Sequence, residues 1–368
     1  MEKSEHSLPT SLPALSERLK KWDLSTTTVN PKSIKNSASK LREEEYLVLR
    51  AVCTQYKASD LQDAFASNSP PRWLNRKYLD SIGDDLGVEF YGSSWMDYLQ
   101  EVSPVYEGVV YRLPNLNNFG LIIYQQRACQ NAVQEREIII NEAQDQEDAS
   151  EAKARNAFVE EFSGMDINFW VHSNKEDSNK KTAKILPTKD EQIVNSALIL
   201  FLQAVTAFNA NVKGHWSIER KAFHARTKDG EKIYRADTDG ILELYSGHIS
   251  ALVEVKRSDR VGVSVAKEIK MQEVAEIAAW ISEDPPTMSR GRDEEFYRFH
   301  ISQHRHSIYI TIGSFNEHYV DYLQNGNLSN NPVLTIREYG PFSIDIREHV
   351  EFVGKLVLAF SIQESSET

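Results

Sequence analysis

Two carboxylates and an ammonium group lie close together in the chain: Asp239, Glu254 and Lys256, the last two separated only by Val255. Residues of these types can manage a hard cation and a negatively charged reaction centre. Paired acids suit Mg²⁺ or Mn²⁺, which prefer oxygen ligands and keep several waters. A water on such a cation becomes a nucleophile near neutral pH, and a neighbouring lysine counters the charge that builds on the group attacked.

These residues need a hairpin to bring them together. Ile233 to Leu244 and Ile249 to Val255 read as two strands, joined by Tyr245-Ser246-Gly247-His248, a length and composition that suit an antiparallel turn. A turn centred on Ser246-Gly247 sets Asp239 opposite Glu254 and Asp237 opposite Lys256, with paired Cβ atoms about 4.5 to 5.5 Å apart. Alternation then gives one face to Asp237, Asp239, Glu254 and Lys256 and the other, the core face, to Leu242, Ala251, Val253 and Val255. Burying the acids costs several kcal/mol per ion unless a cation compensates. The other reading of the same pattern is an exposed hairpin with cross-strand ion pairs, such as Asp237 with Lys256.

Around the hairpin, Pro187 and Asp190 open an apolar helix that runs to about Phe208, and a strand follows from Trp216 to Ala225. A helix from about Val265 to Ser282 carries Gln272 one element beyond Lys256. Further strands are expected at Ser307 to Ile312 and Val333 to Arg337, with helices at Glu317 to Leu323 and Arg347 to Phe360. The fold class is α/β with α+β character: a central mixed sheet flanked by helices, with a helical N-terminal extension. Residues 1–40, interrupted by Pro9, Pro13 and Pro31, read as a disordered leader containing a short helical piece near Leu15 to Leu24. Residues 41–165 read as a mainly helical accessory region, 166–362 as the domain bearing the site, and 363–368 as a disordered tail.

The 368 residues carry a net charge of -12, which opposes bulk electrostatic attachment to nucleic acid. The charge is unevenly spread. Gln130 to Phe162 holds nine acidic residues against three basic ones, a solvated helical face or a surface for a protein partner, whereas Lys213 to Lys270 holds twelve basic against nine acidic. Arg257, Arg260, Lys267 and Lys270 follow the acid pair and read either as phosphate contacts or as solvated charges. His300, His304 and His306 lack nearby cysteines and read as solvent-facing or phosphate-facing side chains rather than a metal site. Cys53 and Cys129 have neither disulfide nor zinc spacing. With no membrane-length apolar run and no signal pattern, an intracellular protein of nucleus or cytoplasm is expected, not secreted and not in a membrane.

At Asp239, Glu254 and Lys256 the chain resembles the PD-(D/E)XK nuclease superfamily. Thr238-Asp239 stands in the place of the Pro-Asp pair, Glu254-Val255-Lys256 reads as the E-x-K element, and Gln272 falls where several members have a glutamine. More closely, it is similar to a group of fungal PD-(D/E)XK nuclease-like proteins in Trp216 to Phe223, Asp239-Gly240-Ile241-Leu242, Met271 to Ile281 and Gly340-Pro341-Phe342, over roughly Phe169 to the C-terminus. The resemblance implies a restriction-endonuclease-like core and Mg²⁺- or Mn²⁺-dependent hydrolysis of phosphodiester bonds in DNA or RNA. It implies Asp239, Glu254 and the Val255 carbonyl as metal ligands, and Asp239, Glu254, Lys256 and Gln272 as catalytic residues. The alternative is an inactive member that keeps the fold as a nucleic-acid-binding or protein-binding module. Two departures stand out: Thr238 replaces the proline, and the helix-borne acid of many members is represented by either Glu191 or Glu219.

Overall fold

The structure, a computed structural model, describes residues 7–67, 71–83, 86, 89–90, 93–102, 120–129, 190–260, 263–286 and 295–367. The strand that carries Glu254 and Lys256, Ile249–Lys256 (β8), is buried at every position but the last, the mark of a strand covered on both faces. It lies inside a seven-stranded sheet. From one edge to the other the order is Ala51–Tyr56 (β1), Leu334–Ser343 (β11), Ser307–Phe315 (β10), Phe296–His304 (β9), β8, Gly240–Leu244 (β7) and Gly214–Ser217 (β4). The β1–β11 and β8–β9 pairs are parallel and the others antiparallel, so the sheet is mixed. Two small ribbons stand outside it, Glu89–Phe90 (β2) with Ser93–Ser94 (β3), and Ala222–Arg226 (β5) with Lys232–Asp237 (β6).

Helices cover both faces. In chain order the named ones are α1 (Leu12–Lys21), α2 (Glu43–Val48), α3 (Ala58–Ala66), α4 (Arg76–Asp80), α5 (Trp95–Glu101), α6 (Glu191–Thr206), α7 (Val263–Glu283), α8 (Glu317–Asn325) and α9 (Arg347–Glu367); residues 120–129 are also helical. Ala251, Val253 and Val255 of β8 enter one core with Leu198 and Phe201 of α6 and Leu356 and Phe360 of α9. Leu252, from the opposite face, enters a second core with Ala275 and Ala278 of α7, Tyr319 of α8 and Leu15 of α1. Among the described residues no helix is long and apolar enough to cross a membrane.

Several expectations change. Ile233 to Leu244 is not one strand: β6 ends at Asp237 and pairs with β5, while β7 begins at Gly240 in the main sheet. Asp237 therefore lies opposite Ala222, not Lys256, and its carboxylate takes Arg235 instead. The strand expected from Trp216 to Ala225 likewise divides into β4 and β5. The predicted hairpin register does hold for Gly240, Ile241 and Leu242 against Val253, Leu252 and Ala251, then slips by one at Glu243 through a bulge.

Segment 296–304, outside the expected strands, forms β9 and pairs along its whole length with β10. The leader, expected to be disordered, packs from residue 7 onward. Leu15, Leu19, Val29 and Ile34 are buried, and Glu43 joins Arg18 of α1 to Lys267 of α7. The boundary near residue 165 is crossed by the main sheet, because β1 pairs with β11. The tail, expected to be disordered, continues α9 to Glu367. The acidic stretch 130–162 lies outside the described residues.

Candidate active site

Asp239 sits where the chain leaves the β5–β6 ribbon for the main sheet. The Thr238 N–H donates to the Lys221 carbonyl at 3.0 Å, holding the turn to the β4–β5 loop. The next residue must be small: a Cβ on Gly240 would stand 2.6 Å from the Ser217 carbonyl oxygen and 2.9 Å from Ile199 Cδ1. This close approach of β7 to β4 and α6 fixes the direction in which Asp239 projects. Its backbone N–H donates to the Val253 carbonyl at 2.9 Å, and Asn195 Nδ2 of α6 donates to its carbonyl at 3.2 Å. One carboxylate oxygen, Oδ2, accepts from the Val255 N–H at 3.2 Å; the other, Oδ1, is 3.2 Å from Arg220 Nη2.

Glu254 projects from β8 toward α7. It accepts from Lys256 Nζ, two residues along the same strand face, and from Gln272 Nε2 at 2.7 Å. Gln272 Nε2 also donates to Glu276 Oε1 at 2.8 Å, one turn further along α7, and Glu276 Oε2 is 3.2 Å from His300 Nε2 on β9. Spacing of four on a helix puts Gln272 and Glu276 on one face, so a single amide bridges two buried carboxyl groups. Glu191, the first residue of α6, completes the mouth with Oε1 3.8 Å from Lys256 Nζ. Glu219 is exposed on the β4–β5 loop, which leaves Glu191 as the helix-borne acid beside the lysine.

Too many acids are gathered here for the cations beside them. Burial, reinforced by Glu276, pushes the Glu254 carboxyl well above the usual carboxylate range despite the pull of Lys256. Burial does the same to Glu276 against the opposing hydrogen bond from Gln272, and raises Glu191 against Lys256. Lys256 loses solvation, which would lower it, but Glu254 and Glu191 outweigh that and hold it charged. Burial pushes His300 down, so it is neutral. Both groups are thus pushed toward their neutral forms, and a neutral Glu276–His300 pair suits a dry interior.

No protein-family model, curated protein or solved structure matches this chain.

The four residues singled out for catalysis, Asp239, Glu254, Lys256 and Gln272, thus come from three elements to one end of β7 and β8. Glu254 and Lys256 do not lie on an exposed hairpin face; that face is covered by α7. The donor atoms on offer to a cation are oxygens of Asp239 and Glu254 together with the Val255 carbonyl. Val255 directs its N–H to Asp239, and in a strand the carbonyl of a residue points to the same edge. Among the described residues no three His, Cys, Asp or Glu side chains form a metal-holding group, so a cation would depend on two carboxylates, a main-chain oxygen and waters. That donor set has the chemistry of a Mg²⁺ or Mn²⁺ site.

Three of the four cations expected to reach phosphate or solvent are occupied internally. Arg260 is buried, pairs with both Glu273 and Glu338, donates to Ser302 Oγ at 2.9 Å, and stacks 4.1 Å above the Tyr309 ring. Lys267 binds Glu43 at 2.6 Å and Lys270 binds Glu338 at 3.3 Å. His300 and His304 are fully buried beneath α7 rather than turned to solvent or phosphate; His304 Nε2 is 3.0 Å from Arg260. Sequence reasoning missed Glu276, Asn195 and Arg220. For Glu276 a signal existed: Gln272, Glu273 and Glu276 interrupt the otherwise apolar stretch Met271 to Ile281, and acids in such a run need partners in the interior.

Proposed function

We propose that this chain is a metal-dependent phosphodiesterase that cleaves DNA or RNA, with a restriction-endonuclease-like arrangement of α6, the β4, β7 and β8 strands, and α7. The observation that carries the reading is the meeting of Asp239, Glu254, Lys256 and Gln272 at the end of β8, where the E-x-K spacing puts both charged side chains on one face and Gln272 reaches back from α7. Mg²⁺ or Mn²⁺ held by Asp239, Glu254 and the Val255 carbonyl would supply Lewis acidity to water and phosphate. Lys256 counters charge on the phosphoryl oxygens and, by pairing with Glu254, favours its ionised form. Gln272 fixes the rotamer of Glu254 by donating to it. Burial of Glu254 strengthens each of these contacts, since charges interact more strongly away from water.

The test is direct. Purified protein is incubated with single- and double-stranded DNA and RNA in Mg²⁺, Mn²⁺ or EDTA, beside Asp239→Ala and Lys256→Ala. Cleavage that requires metal and falls at least about 100-fold in each variant is expected, the order of effect for removing one transition-state contact. Cleavage unaffected by both substitutions would overturn the assignment. Neither cleavage nor uptake of Mn²⁺ would favour the interaction-module reading instead.

A further inference from the structure

Arg220 belongs to the β4–β5 loop, outside the group of residues that the sequence pattern brings to mind. Its side chain is 60% exposed, yet its guanidinium stands 3.2 Å from Asp239 Oδ1. The loop is not free to wander: Lys221, its neighbour, accepts from the Thr238 N–H at 3.0 Å, so loop and acid are fastened together at their backbones. Only the arginine side chain has room to move.

The rest of the mouth explains why a cation is drawn there. Asp239 Oδ2 is already satisfied by the Val255 N–H, whereas Oδ1 faces outward beside a second acid, Glu191. Lys256 is committed to Glu254 and lies 3.8 Å from Glu191. Arg220 is thus the cation on Asp239 Oδ1, and it comes from the solvent side. A divalent cation using Oδ1 competes with Arg220 for the same oxygen. Once displaced, the guanidinium remains tethered within a side-chain length of the site and presents a planar fork of donors matched to phosphate.

We infer that Arg220 is an exchangeable guard of the candidate site: it neutralises Asp239 when no metal is bound, and on metal binding transfers to a backbone phosphate of the nucleic acid. The inference rests on the phosphodiesterase reading and deepens it. Metal and nucleic acid then help one another, because each takes over one half of the Arg220–Asp239 pair, and such coupling is reciprocal.

Two binding measurements on the full chain test it, neither needing turnover. Mn²⁺ uptake is followed by electron paramagnetic resonance, and a fluorescent phosphorothioate oligonucleotide is titrated by anisotropy with Ca²⁺ or EDTA over a range of salt. In Arg220→Ala, Mn²⁺ is expected to bind more tightly than in the wild type, by up to about tenfold, as the competing cation is removed. Oligonucleotide binding in Ca²⁺ weakens about tenfold, and the salt slope falls by about 1 as one phosphate contact is lost. Arg220→Lys, which keeps the charge but not the fork, should recover the salt slope and only part of the affinity. Weaker or unchanged Mn²⁺ binding in Arg220→Ala, or unchanged oligonucleotide affinity and salt slope, would overturn the inference. Asp239→Asn separates the two failures: if it abolishes Mn²⁺ uptake while Arg220→Ala behaves as wild type, only the role of Arg220 falls. If the wild-type protein takes up no Mn²⁺, the phosphodiesterase reading falls and this inference with it.

Discussion

Glu276 illustrates how one buried acid sets the pH behaviour of its surroundings. Burial beside His300 raises its carboxyl, so the folded protein holds the proton at a pH where the unfolded chain would release it. A carboxyl raised in the folded state contributes stability that is fully present below its ordinary value of 4.5 and is lost as pH rises toward the folded value. Glu254 and Glu191 are raised and act in the same direction. Glu276→Gln keeps the shape and can still bridge Gln272 and His300, but carries no proton to lose. Relative to this variant the wild type should therefore lose about 1.4 kcal/mol for each pH unit above the ordinary carboxylate range until its own folded value is passed. Urea unfolding at pH 5 and pH 8 measures this: the variant gains stability mainly at pH 8, and an equal gain at both would refute the proton assignment. At this scale residue type and strand spacing single out Asp239, Glu254 and Lys256, and the family resemblance adds Gln272. Arg220 and Asn195 could not, because an arginine on a loop and an asparagine in an apolar helix have no periodic signature, and their roles depend on which strand end they meet.

Among the elements, the decisive event is the parting of β6 from β7. A continuous strand would have carried Asp237 to Lys256 and left the acid face on an open hairpin. Instead the chain turns at Thr238-Asp239, and Gly240 enters the gap between Ser217 and Ile199. Gly240→Ala forces a methyl group into backbone at 2.6 Å, with an expected loss of about 1–3 kcal/mol by overpacking. The same push displaces Asp239, so Mn²⁺ affinity should fall alongside the urea midpoint; a variant with unchanged midpoint would show that β7 can shift freely. Strand β9 shows why a polar pattern misleads. Tyr297, Phe299 and Ile301 alternate with Arg298, His300 and Ser302 as strand periodicity requires. His300 and His304, expected to face solvent or phosphate, instead meet Glu276 and Glu273, the acids that α7 buries. Helices α6, α7, α8 and α9 were legible from apolar periodicity, and the start of α6 from Asp190, whose side chain accepts from the Gln192 N–H.

For the molecule as a whole, the sheet joins chain regions that the sequence gives no reason to connect. Local pattern identified an α/β chain, but not that β1 would pair beyond residue 330 or that the leader would roof the second core. Proline-rich, polar segments usually lack enough apolar surface to order themselves; here Leu15, Leu19, Val29 and Ile34 find it on α2, α7 and α8. A chain beginning at Leu41 should accordingly lose on the order of 5 kcal/mol, allowing for the ordering entropy that offsets four buried aliphatic side chains. Thermal unfolding with and without the first 40 residues checks this, and identical midpoints would mean that the segment rests on the surface.

The pairing of β1 with β11 also has a consequence in time. Ala51 meets Leu334 in parallel register, so an edge of the sheet made from the first sixth of the chain waits for a strand near its end. Contacts so far apart in sequence make for slow folding, and a growing chain emerges at about 5–20 residues per second. On a growing chain β1 therefore waits many seconds before β11 can cover that edge.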